Sequence, residues 1–219
     1  MLVSAYVQSV LFIVLTAVAL FASAGTIALP GFWLYLAIYA FVFLLSFAIL
    51  DPDLLRERMR PGGKRPPAAL RLFAIVLFAH WIVAGLDRGR FHWSDTVPVW
   101  LQAAGLIVTA AGYALVLWAM RVNRFFSSVA RIQSDRGQHV ISSGPYALVR
   151  HPGYLAGFAI MIASGLALGS WLAVAVLVIP SVPALIVRAA GEDRMLQAEL
   201  PGYGAYASRV RWRVLPGIW

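Results

Sequence analysis

The 219-residue sequence contains no cysteine, which excludes a disulfide framework, a thiolate nucleophile and a thiolate metal site. Its four histidines, at positions 80, 92, 139 and 151, lack the paired spacing of a zinc-binding HExxH helix. A Walker loop and a GxGxxG run are also absent, which excludes a soluble Rossmann-type cofactor domain. We therefore expect no bound metal ion.

Charged residues are scarce as well. They make up 12% of the chain, against about 25% in ordinary soluble domains, while 61% of the residues are hydrophobic. No residue between Leu2 and Leu50 is charged. This composition is typical of an integral membrane protein, and the length suits about half a dozen spans of ~20 residues.

The apolar runs predict six transmembrane helices. We place them at about 5–29, 32–50, 68–86, 97–120, 154–169 and 171–187, with Pro30 and Gly31 in a tight turn between the first two. Residues 51–67 are predicted to be a polar loop. The expected fold is an all-α integral membrane protein in which the last two spans form a hairpin and an amphipathic helix follows. We expect one structural domain, with a four-span N-terminal region (1–120) and a cofactor-binding C-terminal region (121–219).

The net charge of +9 is explained by membrane topology. With six spans, 16 of the 18 basic residues fall on the face that carries both termini, and the opposite loop at 87–96 is neutral. The positive-inside rule makes the basic face cytoplasmic, so we expect both termini in the cytoplasm, at a bacterial inner membrane. This distribution accounts for the charge without a nucleic-acid partner.

The densest group of chemically capable residues is the run GPYALVRHPGYLAG at 144–157. Arg150 supplies a fixed cation with a planar fork of donors, and His151 can donate, accept or titrate. The run could simply anchor a membrane helix through interfacial tyrosine and arginine. However, cations at a helix start oppose the helix dipole, which favours binding of an anionic ligand.

Two further groups flank the last hairpin. Arg188 and Glu192 are i,i+4 neighbours that could pair, or Glu192 and Asp193 could bind ribose hydroxyls or act as a base. The tail from Tyr203 to Arg213 could be an amphipathic helix on anionic lipid, or a lid whose arginines hold an anionic substrate.

Two single residues have two interpretations each. His80 lies in the middle of the third span, where an ionisable residue is a functional candidate; a neutral histidine hydrogen-bonded between helices is the simpler interpretation. Asn123, just after the fourth span, could cap a chain break or reach a ligand.

These residues resemble the integral-membrane isoprenylcysteine carboxyl methyltransferase family and its phospholipid methyltransferase relatives. The run RHPGYLAG, the acidic pair after the hairpin and the run GYGAYASRV occur in the family's order within 121–219. The resemblance implies S-adenosylmethionine as the methyl donor, held at the cytoplasmic end of the last hairpin. The methyl acceptor implied is a membrane-embedded, lipophilic or lipidated molecule.

The resemblance also implies the roles of individual residues. Those that would build the cofactor pocket are Tyr146, Arg150, His151, Pro152, Tyr154, Leu155, Gly157, Glu192 and Asp193. Arg209, Arg213 and Asn123 would face the substrate, and His151, Glu192 and Arg209 would be catalytic. The family's second acid is usually glutamate, so the shorter Asp193 makes Glu192 the stronger candidate of the two.

The acceptor does not follow from the residues. A carboxylate, an amine or a thiol all remain open, and an amine or a thiol needs a base such as His151 or Glu192. Two alternatives of other classes also remain: an NADPH-dependent membrane reductase with sterol-reductase-like organisation, and a non-catalytic membrane binding protein.

Overall fold

The computed structural model describes the backbone of residues 2–59, 62 and 68–219. Its described residues form eight α-helices and no strand. They are α1 (Leu2–Ala24), α2 (Pro30–Ile49), α3 (Pro52–Met59), α4 (Ala68–Leu86), α5 (Val99–Val122), α6 (Pro152–Ala167), α7 (Trp171–Glu199) and α8 (Tyr203–Arg209). The all-α membrane fold predicted from the sequence is confirmed.

Within the described ranges, five helices are long and apolar enough to cross a membrane: α1, α2, α4 with the turn that follows it, α5 and α7. The sixth predicted span, α6, is apolar but has only 16 residues. It nevertheless runs between the same two ends of the molecule as its neighbours, because Pro152 starts it beside the C-terminal tail and Ser170 follows it at the opposite end. The chain is therefore a multi-pass integral membrane protein.

Two predicted boundaries are wrong. The turn between the first two helices lies before Pro30, at Gly25, whose φ of +72° suits a residue without a side chain. Pro30 and Gly31 belong to α2 instead, since proline fits the first helical turn, where no backbone donor is required. The helix that begins at Trp171 also runs on past residue 187, where the sixth span was predicted to end, to Glu199.

The predicted loop 51–67 contains a helix, α3, over residues 52–59. Residues 60, 61 and 63–67 lie outside the described part of the chain. Three ion pairs hold α3 against the long segment after α5. Glu57 pairs with Arg131 at 3.1 Å, and Asp53 pairs with Arg136 at 2.6 Å and with Arg124 at 3.9 Å. This end of the molecule therefore carries α3, the segment 123–151, α8 and the tail.

The opposite end is closed by contacts among its turns. Asp87 is completely buried and accepts hydrogen bonds from the hydroxyls of Ser94 and Ser170. Arg90 donates to the carbonyl of Ser23 at the end of α1. These contacts join the turns after α1, α4 and α6.

Small residues allow the helices to pack closely. A Cβ at Gly105 of α5 would lie 2.6 Å from the backbone nitrogen of Ala167 in α6. His80 is also completely buried, with its ring nitrogens 2.9 Å from the carbonyl of Ala173 and 2.8 Å from the hydroxyl of Ser164. The simpler interpretation of His80, a histidine hydrogen-bonded between helices, is what the structure shows.

Candidate active site

A cavity of about 630 Å³ opens at the end of the bundle that carries α3 and the tail. This volume lies within the range of about 300–1,000 Å³ that small-molecule sites have. Its polar walls come from the segment after α5, the start of α6 and the second half of α7. The residues predicted from the sequence that line it are Asn123, Tyr146, Arg150, His151, Pro152, Tyr154, Gly157 and Glu192.

The turn that presents Arg150 and His151 is held by the C-terminal tail. The backbone nitrogen of Arg150 donates to the carbonyl of Trp212 at 2.9 Å, and that of His151 donates to the carbonyl of Arg213 at 2.8 Å. Pro152 then starts α6, where its fixed φ suits the first turn. The backbone of Arg150, His151 and Pro152 is therefore held by the tail on one side and by the first turn of α6 on the other.

Asp193 joins these elements from behind the cavity wall. Its side chain is completely buried, and Oδ1 accepts a hydrogen bond from the hydroxyl of Tyr203 at 3.0 Å. Arg150 and His151 lie 3.3 Å and 3.2 Å from the same oxygen. Oδ2 accepts from Arg213 at 2.9 Å and from Gln197 at 2.8 Å. The carboxylate thus has internal partners on both oxygens and balances a cluster of cations.

Glu192 lies on the cavity wall and belongs to a separate hydrogen-bonded chain. Its Oε2 accepts a hydrogen bond of 2.5 Å from the hydroxyl of Tyr154, which accepts in turn from Nε of Arg188 at 2.8 Å. The direct ion pair between Arg188 and Glu192 that the i,i+4 spacing suggested is not found. Tyr154 stands between them and fixes both side chains.

Two buried tyrosines form another wall. The amide of Asn123 donates to the hydroxyl of Tyr146 at 3.1 Å, and the hydroxyl of Tyr206 donates to the carbonyl of Tyr146 at 2.7 Å. Burial raises the pKa of Tyr146 and raises that of Tyr206 to about 12, so both are neutral hydrogen-bonding groups at physiological pH. Asn123 directly follows α5, where its Oδ1 accepts a hydrogen bond from the backbone nitrogen of Phe125, and it also lines the cavity.

Two glycines of α6 allow close packing on the third wall. A Cβ on Gly153 would lie 2.6 Å from the ring of Phe126, and one on Gly157 would lie 3.3 Å from the side chain of Leu185. Phe126 and Leu185 both line the cavity. These two glycines therefore set how closely their neighbours approach α6.

Four residues predicted for the site do not line the cavity: Leu155, Asp193, Arg209 and Arg213. Leu155 is half-buried in the first turn of α6, and Arg209 is exposed at the end of α8. Arg213 pairs with Asp193, and its guanidinium lies 5.7 Å from the centre of the Trp219 ring. The structure thus brings seven of the nine cofactor candidates to one cavity, and Arg209 is not among the residues that line it.

The cavity also has walls that the sequence did not predict. Arg58 of α3 lies over the ring of Phe126, with 5.1 Å between the guanidinium carbon and the ring centre. Leu70 and Phe73 of α4 line an apolar end, with Met161 and Leu185. Arg58 was counted only as a topology charge, and no spacing in the sequence indicates that α3 folds back onto the segment after α5.

In the described part of the chain, no group of three or more His, Asp or Glu side chains could hold a metal ion. Residues 100–200 match the family model of phospholipid methyltransferases. The nickel-cobalt-cadmium resistance protein NccN of Alcaligenes xylosoxydans xylosoxydans is 28% identical over 131 residues, which are 58% of this chain. This chain spans 56% of the length of that relative.

Among solved structures, the fold is similar to the eukaryotic intramembrane Ras methyltransferase ICMT, an isoprenylcysteine carboxyl methyltransferase. The TM-score is 0.62 at 18% sequence identity, over 94% of this chain and 74% of that one. At this identity the likeness is one of fold. Family match and fold thus both correspond to membrane methyltransferases of the isoprenylcysteine carboxyl and phospholipid types, as the resemblance in the sequence predicted.

Proposed function

We propose that this protein transfers a methyl group from S-adenosylmethionine to a lipophilic or membrane-embedded acceptor. The observation that carries the proposal is the two-ended cavity. Its polar end is built by Tyr146, Arg150, His151, Tyr154 and Glu192, and its apolar end lies between transmembrane helices. A polar cofactor and a lipophilic acceptor could therefore meet in one chamber.

The residues present fit S-adenosylmethionine. Of the described residues that line the cavity, Glu192 is the single acid, suited to the ribose hydroxyls or to the amino group of the donor. The rings of Tyr146, Tyr154 and Phe126 also line it, and an aromatic face attracts a cation such as a sulfonium by about 0.5–2 kcal/mol. Bound here, the cofactor would supply an electrophilic methyl group.

The protein's main task would be alignment. Holding two reactants in line can lower a barrier by about 7–11 kcal/mol, and this requires rigid walls. The tail's backbone hydrogen bonds to Arg150 and His151, and the buried contacts of Asp193, provide that rigidity. A carboxylate acceptor is already ionised and needs no base.

An amine or a thiol acceptor must lose a proton, and His151 is placed to take it. Asp193 contacts two guanidinium groups and accepts only, so Nε2 of His151 carries the hydrogen that points at it. Neutral His151 then keeps its lone pair on Nδ1. The same arrangement, in which a carboxylate orients a histidine, serves general bases in other enzymes.

The charge distribution supports the cellular placement that we propose with this function. The ends of α5 and α7, the start of α6 and the tail lie together at one end, and this end carries the excess of basic residues. The cofactor would therefore enter from the cytoplasm, with both termini on that side of a bacterial inner membrane. The acceptor would come from the lipid phase.

Two measurements on the purified protein in detergent test the proposal. Calorimetry should show binding of S-adenosylmethionine and S-adenosylhomocysteine and none of NADPH. Transfer of a labelled methyl group should then be screened across lipid carboxylates, phospholipid amines and lipophilic thiols. Tight NADPH binding with no binding of either adenosyl compound would overturn the proposal in favour of a reductase.

A further inference from the structure

Two arginines on the cavity wall have no acidic partner. Arg58 of α3 lies against the face of Phe126, and Arg188 of α7 donates only to the hydroxyl of Tyr154 and to the carbonyl of Ser128. Neither belongs to an ion pair among the described residues. The other cavity-lining arginines do: Arg131 pairs with two acids, and Arg150 pairs with Asp193.

A missing partner cannot be hidden in the undescribed segments. All nine acidic residues of the sequence lie in the described part of the chain. The acid on the cavity wall, Glu192, is engaged by Tyr154. Arg58 and Arg188 thus carry two positive charges beside the cavity that no acid contacts directly, since Glu192 reaches Arg188 only through the hydroxyl of Tyr154.

The two charges are also close enough to act on each other. Burial lowers the pKa of Arg58 to about 10, and the positive charge of Arg188 acts in the same direction, against an opposing effect of Tyr146. With a pKa near 10, Arg58 remains protonated at physiological pH. Like charges that are partly removed from water are unfavourable unless an anion lies between them.

Their position indicates which ligand would supply the anion. The cavity-facing side of α7 runs from Leu185 through Arg188 to Glu192, at spacings of three and four residues. Arg188 therefore marks the boundary between the apolar end and the polar end. The head of a lipid with its chain in the apolar end would lie at this level.

We propose that Arg58 and Arg188 bind an oxyanion, a carboxylate or a phosphate, on the methyl acceptor. Guanidinium forks suit these groups because they donate two parallel hydrogen bonds. The assignment of the anion to an acceptor rests on the proposed function. It adds α3, which lies outside the segment matched by the methyltransferase family model, as a determinant of acceptor specificity.

The test compares matched ligands in neutral detergent by calorimetry. Oleate and dioleoyl phosphatidate present the two oxyanions, oleyl alcohol and dioleoyl glycerol are their uncharged counterparts, and acetate and inorganic phosphate are the free anions. The wild type should bind at least one of the two oxyanion lipids roughly tenfold more tightly than its uncharged counterpart. It should bind the free anions much more weakly.

The variants are Arg58→Gln, Arg58→Lys and Arg188→Gln, with Arg194→Gln as the control, since Arg194 is an exposed arginine on the same helix. Arg58→Gln and Arg188→Gln should each abolish the preference, Arg58→Lys should restore part of it, and Arg194→Gln should leave it unchanged. Arg58→Gln is the decisive variant because it removes no side-chain hydrogen bond found among the described residues. Its melting temperature should equal that of the wild type.

Three outcomes would overturn the assignment. The wild type could show no preference, or the preference could persist in Arg58→Gln, or free anions could bind as tightly as the lipids. A fourth contrary outcome is loss of S-adenosylhomocysteine binding in Arg58→Gln with the lipid preference kept, because the pair would then hold the donor's carboxylate. Wild-type binding of S-adenosylhomocysteine tests the proposed function separately, so the two failures can be told apart.

Discussion

Glu192 and Asp193 are neighbours in sequence, yet their carboxylates have opposite surroundings. That of Glu192 lies on the cavity wall, whereas that of Asp193 is completely buried and contacts Arg150, His151 and Arg213. Successive residues on a helix point about 100° apart, so only one of the two can face the cavity. Glu192 can therefore contact a ligand, whereas Asp193 stabilises the cavity wall.

Substitution of Asp193 should therefore lower stability, whereas substitution of Glu192 should lower ligand affinity. Asp193→Asn should destabilise the protein by about 3–5 kcal/mol, because Arg150 and Arg213 lose the buried charge that balances them. Glu192→Gln should leave stability within about 0.5 kcal/mol while weakening S-adenosylhomocysteine binding at least tenfold. Thermal unfolding and calorimetry in detergent measure the two effects. Equal loss of stability in both variants would contradict the division.

Tyr154 should matter through its hydroxyl. Tyr154→Phe keeps the ring but removes the group that accepts from Arg188 and donates to Glu192. We expect S-adenosylhomocysteine binding to weaken by about 1–2 kcal/mol, the usual value of hydrogen bonds to charged groups. Tyr6→Phe is the control, since Tyr6 is exposed on α1. Unchanged binding in Tyr154→Phe would show that the hydrogen bonds of the Tyr154 hydroxyl do not position Glu192.

Close packing of α5 against α6 predicts the effect of a single methyl group. Gly105→Ala should destabilise the protein by about 1–3 kcal/mol, because the new Cβ would meet backbone atoms of α6 that cannot move alone. Gly191→Ala is the matched control on α7, where no atom lies within 4 Å of the added Cβ. It should stabilise the helix by about 0.5–1 kcal/mol. Both values come from thermal or denaturant unfolding.

The sequence predicted the helices better than their contacts. Uncharged runs determine where a helix can cross a bilayer, so α2, α4 and α5 begin and end within about two residues of the predicted bounds. Hydropathy carries no information beyond the membrane, so the extension of α7 to Glu199 was missed. Its polar end is stabilised by contacts from distant segments, such as Tyr203 and Arg213 on Asp193.

The sequence predicted the motif residues of the candidate site but not the contribution of α3. The motif residues Arg150, His151 and Glu192 do meet at one cavity. The role of Arg58 depends on how α3 folds back, which requires the ion pairs of Glu57 and Asp53 with residues about 75–85 positions away. Pairings at such separation leave no local pattern in the sequence.

Arg209 and Arg213 of the tail are expected to differ in their effects on stability. Arg213 binds the buried Asp193, so Arg213→Gln should lower stability by about 1–3 kcal/mol through an unpaired buried carboxylate oxygen. Arg209 is exposed, and Arg209→Gln should change stability by no more than about 0.5 kcal/mol. If Arg209 faces the substrate, as the sequence resemblance implies, its variant should lower methyl transfer at unchanged donor affinity. A stability loss in Arg209→Gln equal to that in Arg213→Gln would contradict this arrangement.

The contact between α3 and the segment after α5 should depend on pH through Glu57. Burial favours the neutral acid, but the hydrogen bonds from Arg131, Gly62 and Ser127 and the charge of Arg131 outweigh it, so the pKa of Glu57 lies below its ordinary value of 4.5. A folded-state pKa below the unfolded one adds stability that is complete above pH 4.5 and is lost as the pH falls through the folded-state value. The melting temperature of the wild type should therefore drop in this acid range more than that of Glu57→Gln, and the two should converge at the lowest pH.

Glu199→Gln, which removes an exposed acid, controls for the change in net charge. Arg131 and Ser127 line the cavity, so S-adenosylhomocysteine binding should weaken over the same pH range. If the melting temperatures of wild type and Glu57→Gln changed in parallel with pH, this role of Glu57 would be excluded.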